Sequence, residues 1–551
     1  MARKKQKKAS QQTSPTAEVC PPQVNQKLWN RFYEPLILLR AYGKSQESHI
    51  KDDVSVEDLE YAGHSRNHKV IKTRFLDALA YLCDYSPGGN TVTAIAIEEG
   101  PQLVYWVASN TNQRSKVEPF LRNLLDLLGK VHDADAASLP ELEYQISHRA
   151  MEFSSQKLRH YRVILQSSIR TCLASLDKQT AEAPDTNSLK EWLASLNEPT
   201  LKLDELCRLC YEARHSQTLK AVGHRAGQCS IQESGSSRGG NYARIRHFIG
   251  RLGSHIKAAR VLVKAGRHCP TLFTDYSINI AADHPSFTPP SYRNRSSVNG
   301  IVKRMVADPD VCEYYQKEIQ VRDKLFGLDL ENRIKKEYKD PDFKLRIHAE
   351  VILLDLFHRK RLRFLDMMAY IGVSKPSCFL CYRYFQAHPL QVQTSGCSNN
   401  LYLKWQPPFI HEDSPSLVKE QEDILNAMIK GVRLFVLEKM VPGYQGFKSH
   451  PDSTTGLDTL SRADTADCVF WKTKDHEAKF TVEGGAKDVA LYPSGAAISP
   501  TSTSTVDKDS ESTAAVVLSS PHRRDTQDIA HEEPQESLGY FNDSDDGGVR
   551  L

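Results

Sequence analysis

Two short stretches constrain this 551-residue chain most: Ile347-His348-Ala349-Glu350-Val351, and Pro376-Ser377-Cys378-Phe379-Leu380-Cys381 after an apolar interval. One imidazole and two thiolates make three soft or borderline ligands, one short of the four that a closed structural zinc site takes. The fourth position is then left for water. Glu350, close to that water and not needed as a ligand, has the chemistry of a proton shuttle.

The pattern around the two stretches says how they are held. Val351 to His358 continues from Glu350 as an apolar run of helical length, which puts His348 and Glu350 at a helix start. Arg363 to Val373, ending Ala369-Tyr370-Ile371-Gly372-Val373, reads as a buried strand, and Ser374 to Ser377 as a turn. A helix then opens at Cys378, since Pro and Ser suit helix starts by fixed backbone angle and by capping. Cys378 and Cys381 are one turn apart and share a face. Helix, strand, helix brings both helix starts to one sheet edge, where ligands bind in open α/β folds. Each start contributes about half a positive charge, which with a metal favours thiolate over thiol. Two competing readings remain, a structural zinc knot with His388 or Cys397 as fourth ligand and a core without metal. Glu350 speaks against the knot, which has no use for it.

Upstream, Leu28 to Tyr42 and Arg66 to Asp84 carry apolar residues at helical spacing. The period then changes. Thr91 to Ile97 is rich in branched residues, Gly100-Pro101 punctuates it, and Leu103 to Val107 follows before Ser109-Asn110, which is a hairpin signal. Over 200 residues then separate Asn110 from His348. Val117 to Val131, Leu139 to Leu176, Ser188 to Leu196, Leu203 to Ala213 and Tyr242 to Ala265 read helical, Gln228 to Asn241 as a flexible loop, and Asp310 to Tyr338 as a long charged helix. Cys207 and Cys210, followed by His215, His224 and Cys229, match no zinc module and read as buried structural cysteines. After the Cys pair, Leu401 to Trp405 is a short strand candidate and Leu417 to Met440 a helix.

Composition narrows the class. The formal net charge of +4 decides little, since a dedicated nucleic-acid binder is usually more basic. Twelve cysteines without framework spacing favour a reducing compartment. No apolar run reaches the length of a membrane span, and the basic start has no apolar stretch behind it, so neither a membrane segment nor a secretory signal is expected. The expected location is intracellular, cytoplasmic or nuclear, with Lys4 to Lys8 either a nuclear address or a solvated tail. Both ends are polar and poor in aromatics, which predicts disorder over 1–25 and 446–551.

The His348, Glu350, Cys378 and Cys381 set resembles the signature of the zinc-dependent cytidine deaminase superfamily. More narrowly, Leu345 to Leu354, Tyr370 to Cys381, Gly396-Cys397, Leu401-Tyr402 with Trp405, and Thr91 to Asn110 resemble a divergent, mainly fungal group of deaminase-like proteins. The resemblance implies a three-layer α/β sheet with helices. It also implies Zn2+ on His348, Cys378 and Cys381, with Glu350 moving a proton from water to the ring nitrogen and then to the leaving amine of cytosine or adenine. Asn110 resembles the asparagine ending the second strand of that fold, which contacts the sugar or base; a turn asparagine is the plain alternative, and Asn112 is equally placed. Ala349, Ser377 and Trp405 complete the candidate substrate contacts, although a core or lid tryptophan is the plainer reading of Trp405. Ser377 separates Pro376 from Cys378, where the superfamily motif joins them, so the pocket wall near the scissile amine differs.

The expected organisation is a basic tail (1–25), N-terminal helices and a first hairpin (26–112), a large helical insertion (113–340), a zinc-binding core (341–445) and a Ser/Thr/Asp-rich tail (446–551). A rival partition makes 26–230 a separate helical domain and takes the hairpin of the catalytic domain from Leu272 to Ile280. In the insertion, Arg244, Arg246, Arg251, Lys257, Arg260 and Lys264 offer phosphate contacts to a nucleotide or nucleic acid, or form a solvated helix face. The expected function is zinc-dependent hydrolytic deamination of a cytosine or adenine base. The alternatives are a catalytically silent, zinc-stabilised interaction module and a dithiol redox role for Cys378 and Cys381.

Overall fold

The branched runs at 93–98 and 103–109 form the hairpin that the rest of the chain packs around. The computed structural model describes residues 25–43, 50–51, 64–111, 114–178, 184–232, 237–340, 343–410 and 414–440. Most of the two expected tails, the Lys4 to Lys8 cluster and Asn112 lie outside these residues.

In chain order, α1 (Gln26–Tyr42) and the short β1 (Ile50–Lys51) precede α2 (His64–Cys83) and the hairpin of β2 (Thr93–Glu98) and β3 (Leu103–Ser109). A helical stretch follows: α3 (Arg114–Gly129), α4 (Leu139–Phe153), α5 (Ser155–Leu176), α6 (Pro184–Leu196), α7 (Leu203–Glu212), α8 (Gln217–Gln232) and α9 (Ser237–His268). Strand β4 (Tyr276–Ile280) is followed by α10 (Val298–Met305), α11 (Pro309–Phe326) and α12 (Leu330–Tyr338). The site segment supplies α13 (Ala349–Lys360), β5 (Gly372–Val373), α14 (Phe379–Ala387) and β6 (Gly396–Cys397), and α15 (Pro415–Lys439) closes the described chain.

The fold is mixed α/β. Four strands make one sheet in the order β4-β3-β2-β5. β2 is antiparallel to both β3 and β5, while β4 lies parallel on the outer side of β3. Strand alternation then sorts the cores. Ala94, Ala96 and Ala108 face the cluster containing α1, α13, α14 and α15, and their small size lets α13 sit close to the sheet. Ile95, Ile97, Tyr105 and Val107 face the cluster of α2, α3 and the C-terminal half of α9. Each fully buried side chain of this size contributes about 1.5–3 kcal/mol. A third cluster, away from the sheet, joins α4 to α9 through residues such as Leu165, Ile169, Leu206 and Leu252. Cys207 and Cys210 are buried in it, with the Cys207 thiol pushed up to about 12 by burial, which makes it inert.

Four local readings differ from the structure, the first being the loop expected over Gln228 to Asn241, where α8 runs through Gln232 and α9 starts at Ser237. The strand expected over 363–373 pairs at Phe364 with Glu98, leaves the strand path at Leu365–Met367, where Asp366 and Met367 take left-handed backbone, and returns as the two-residue β5. The helix expected over 310–338 is two helices, because Gly327 adopts φ +56° and caps α11 in the left-handed conformation. Leu401 to Trp405 is not a strand: it meets Arg346 through one parallel bridge at Trp405. Among the described residues, no helix is long and apolar enough to cross a membrane.

Candidate metal centre and active site

His348 is the N-cap of α13. Its backbone is extended (φ −87°, ψ 151°), continuing a segment in which Arg346 N–H donates to Lys404 O at 2.7 Å and Gln406 N–H to Arg346 O at 2.9 Å. The imidazole makes no capping bond and is left to face the sulfurs. Cys378 is the N-cap of α14, and its sulfur accepts the Cys381 N–H at 3.5 Å. A sulfur in that position takes up one of the four backbone donors that a helix start leaves unpaired, and it sits at the positive end of the dipole.

The three side chains converge. Nδ1 of His348 is 3.3 Å from Cys381 Sγ and 3.5 Å from Cys378 Sγ, and the three ligand atoms lie within 4.8 Å of one another. Ligands at zinc bond lengths on a tetrahedron are about 3.5 Å apart, so the donor set fits the ion in type and in spacing. Glu350 is 4% exposed on the first turn of α13, and its carboxylate lies beside the Cys381 thiol. Burial alone would push the Cys378 thiol up, but hydrogen bonding with Cys381 and the His348 imidazole hold it well below the usual thiol range. Burial pushes Cys381 and Glu350 up. His348 is raised because its neighbour Cys378 outweighs the cost of burial. The cluster thus favours one thiolate, the state a metal requires.

Asn110, at the end of β3, receives the Ala349 N–H on Oδ1 at 3.0 Å and donates from Nδ2 to Gly89 O at 2.8 Å. It therefore ties the hairpin to the helix start that carries His348. One amide hydrogen and one lone pair stay available on its side chain. Ser377 is clamped against β6: its N–H donates to Gly396 O at 3.0 Å, and Ser398 N–H donates to its carbonyl at 2.8 Å. Trp405 is fully buried against Phe32 and Tyr384, and Tyr33 donates to its carbonyl at 2.5 Å. It is enclosed in the core rather than presented to a base.

Neither alternative fourth ligand joins the triad. His388 stands instead with His358, whose Nε2 is 2.6 Å from Glu420, and the Cys397 thiol donates to Asn399 at 3.2 Å. Three residues not assigned roles from sequence border the site. The Tyr402 ring lies edge-on to His348 at 6.1 Å, Arg346 donates to Asn90 at 2.9 Å, and Lys375 donates to Gly88 O at 3.0 Å. Only the Gly88-Gly89 dipeptide in that loop signals a backbone asked to come close.

The six basic residues of α9 are not one surface. Arg244 and Lys264 are exposed, Arg246 and Lys257 half-buried, and Arg251 buried. Arg260 is exposed but pairs with Glu143 at 2.5 Å and Tyr211 at 2.8 Å.

A family model described as an OTT_1508_deam, -like deaminase matches residues 347–409, the stretch that holds all three ligands and Glu350. No curated protein and no solved structure matches the chain. The segment is thus similar to a deaminase family, and its His348, Cys378 and Cys381 could hold a metal ion.

Proposed function

We propose that this protein is a zinc-dependent hydrolytic deaminase of a cytosine or adenine base, carried by a nucleotide or nucleic acid, and a divergent member of the cytidine deaminase superfamily. The observation that carries the reading is the convergence of His348, Cys378 and Cys381 within zinc-ligand spacing, with a buried Glu350 lying beside Cys381 and serving as no ligand. The element order supports it: the hairpin ends at Asn110, and α13, β5 and α14 follow as helix, strand, helix.

His348, Cys378 and Cys381 would hold the zinc, which when bound would supply the Lewis acidity that makes water a nucleophile near neutral pH. Glu350 accepts a proton from that water and delivers it to the ring nitrogen as the oxygen adds to the amino-bearing carbon. It then passes the second proton of the water to the amine, which leaves as ammonia with the keto base behind. Asn110 holds Ala349, and through it the start of α13, in register with the hairpin. The hydrogen and lone pair left on its amide can hydrogen-bond a sugar or base.

Elemental analysis and ammonia release test this together. Wild type carries about one zinc per chain and releases ammonia from at least one of a panel of nucleosides, nucleotides, single-stranded DNA and RNA. Glu350→Ala keeps the zinc and loses about a hundred- to ten-thousandfold in rate, the usual worth of a positioned proton shuttle. Zinc without turnover of any panel member in wild type points instead to the silent interaction module. Absence of zinc from Cys378 and Cys381 leaves the dithiol role.

A further inference from the structure

Arg251 turns inward from the middle of α9. It is 3% exposed, with its guanidinium carbon 5.1 Å from the Tyr81 ring centre and 5.5 Å from that of Tyr161, and Nη2 donating to the Tyr161 hydroxyl at 3.3 Å. Among the described residues its Nε finds no acceptor. His255, one turn on and on the same face, is fully enclosed; Nδ1 meets the Tyr81 hydroxyl at 3.3 Å and Nε2 has no partner among them. Lys157 of α5 is 1% exposed and 2.9 Å from Asp84 Oδ2. Lys375, three residues before Cys378 and held to Gly88 O, adds its charge to the same group.

One carboxylate, Asp84, lies in the field of all three cations. Asp84 is already engaged by Lys157 and by the Thr91 hydroxyl at 2.6 Å. Among the described residues, no carboxylate pairs with Arg251 or Lys375. A buried charge without a counter-charge is costly, and proteins retain such an arrangement where something else neutralises it. The field at the cluster shows the imbalance. Burial pushes the Tyr161 phenol up, yet Arg251 and Lys157 together hold it below its ordinary value. Burial, Arg251 and Lys375 push His247 down to about 3. The group is not sealed: it runs from Arg251, Lys157 and His255 in the interior to the half-buried Tyr161, His247 and Lys375.

We propose that this cluster, between α5, α9 and the loop leading to Cys378, is an anion site that takes a phosphate group. A guanidinium fork together with an ammonium suits a tetrahedral dianion, whereas a single chloride would leave one of the two charges uncompensated. The loop that carries Gly88 toward Lys375 also carries Gly89 toward Asn110, so an occupied site would hold the hairpin end and the segment before Cys378 in one arrangement. The phosphate belongs either to the substrate or to a separate phosphate-bearing compound.

The test uses the full chain. A phosphorus assay on the denatured protein registers a ligand retained through purification. Inorganic phosphate and pyrophosphate, titrated at constant ionic strength against chloride, register a vacant site through a rise in melting temperature. One of the two is expected. Lys375→Met, at the half-buried mouth, weakens phosphate affinity by about tenfold or more in calorimetric titration, or lowers the retained phosphorus. Arg251→Met does the same, with Lys375→Met standing in its place should the buried substitution prevent folding. If the phosphate is the substrate's, Lys375→Met raises KM for a nucleoside monophosphate and not for the nucleoside, and inorganic phosphate competes with turnover; a separate compound stabilises without competing. Absence of bound phosphorus together with a melting temperature indifferent to phosphate and pyrophosphate overturns the proposal. So does equal phosphate binding by wild type and Lys375→Met. None of these binding readouts depends on deaminase activity, so the site can stand if the catalytic reading falls.

Discussion

Asn110 does more than end a strand. By accepting the Ala349 N–H and donating to Gly89 O, it pairs a helix-start donor that nothing local would satisfy. Asn110→Ala removes both partners at once and is expected to cost about 1–3 kcal/mol in denaturant unfolding, because a part-buried donor and acceptor are left unpaired. It should also lower kcat/KM while leaving the zinc content near one per chain, since the ligands sit on other residues. Asn110→Asp keeps the acceptor for Ala349 and loses the donor to Gly89, so it should fall between. The polar residue at the strand end was legible from the sequence pattern, but its partner was not, because Ala349 lies 239 residues away. Trp405 shows the same limit, since an aromatic after a turn has the same local pattern whether it faces a base or, as here, Phe32 and Tyr384.

Among the elements, β5 shows what close packing demands. A Cβ at Gly372 would meet the Leu76 backbone carbon at 2.4 Å, so α2 crosses the strand where only a glycine fits. Gly372→Ala must push α2 away from the sheet or distort β5, and β5 leads into the turn before Cys378. The expected cost is about 1–3 kcal/mol, measured as a lowered denaturation midpoint with a parallel loss of zinc affinity. The Gly-Val ending was visible in the sequence as part of a buried run. The excursion at Leu365–Met367 was not, because no glycine or proline marks it: Asp366 and Met367 adopt positive φ where packing holds them. Helix starts were legible for the opposite reason. Proline, serine and the spacing of two cysteines act within one turn, and α14 starts beside Cys378 as that local chemistry requires.

At the scale of the molecule, several histidines are built in neutral. Burial pushes His388 and His284 down to about 4, helped by His358 and Arg359 respectively, pushes His247 down to about 3, and holds His255 well below the ordinary imidazole range. In the unfolded chain each takes up a proton near pH 6.5, while the folded chain does not. Their stabilisation is therefore complete above about 6.5 and is lost as the pH falls toward their folded values. For His388, which is 3% exposed, the loss approaches about 3 kcal/mol at pH 4. Asp355 works in the opposite sense: burial pushes it up to about 6 despite Arg359, so its penalty above pH 6 is relieved in acid. With four such histidines against it, the melting temperature should fall steadily between pH 6.5 and 4, and His388→Gln should flatten the fall. The ligand set, the helix starts beside it, the hairpin and the helical character of the middle of the chain follow from the sequence by itself, because periodicity, capping and i to i+3 spacing act over a few residues. Only the tertiary structure decided that β4 joins the outer edge of β3, that Asn110 holds Ala349, that Trp405 is enclosed, and that Arg251 turns inward against Tyr81 and Tyr161 rather than to solvent. Each of these depends on which buried surface another part of the chain presents, and burial, unlike a helix period, is not a local property of a residue.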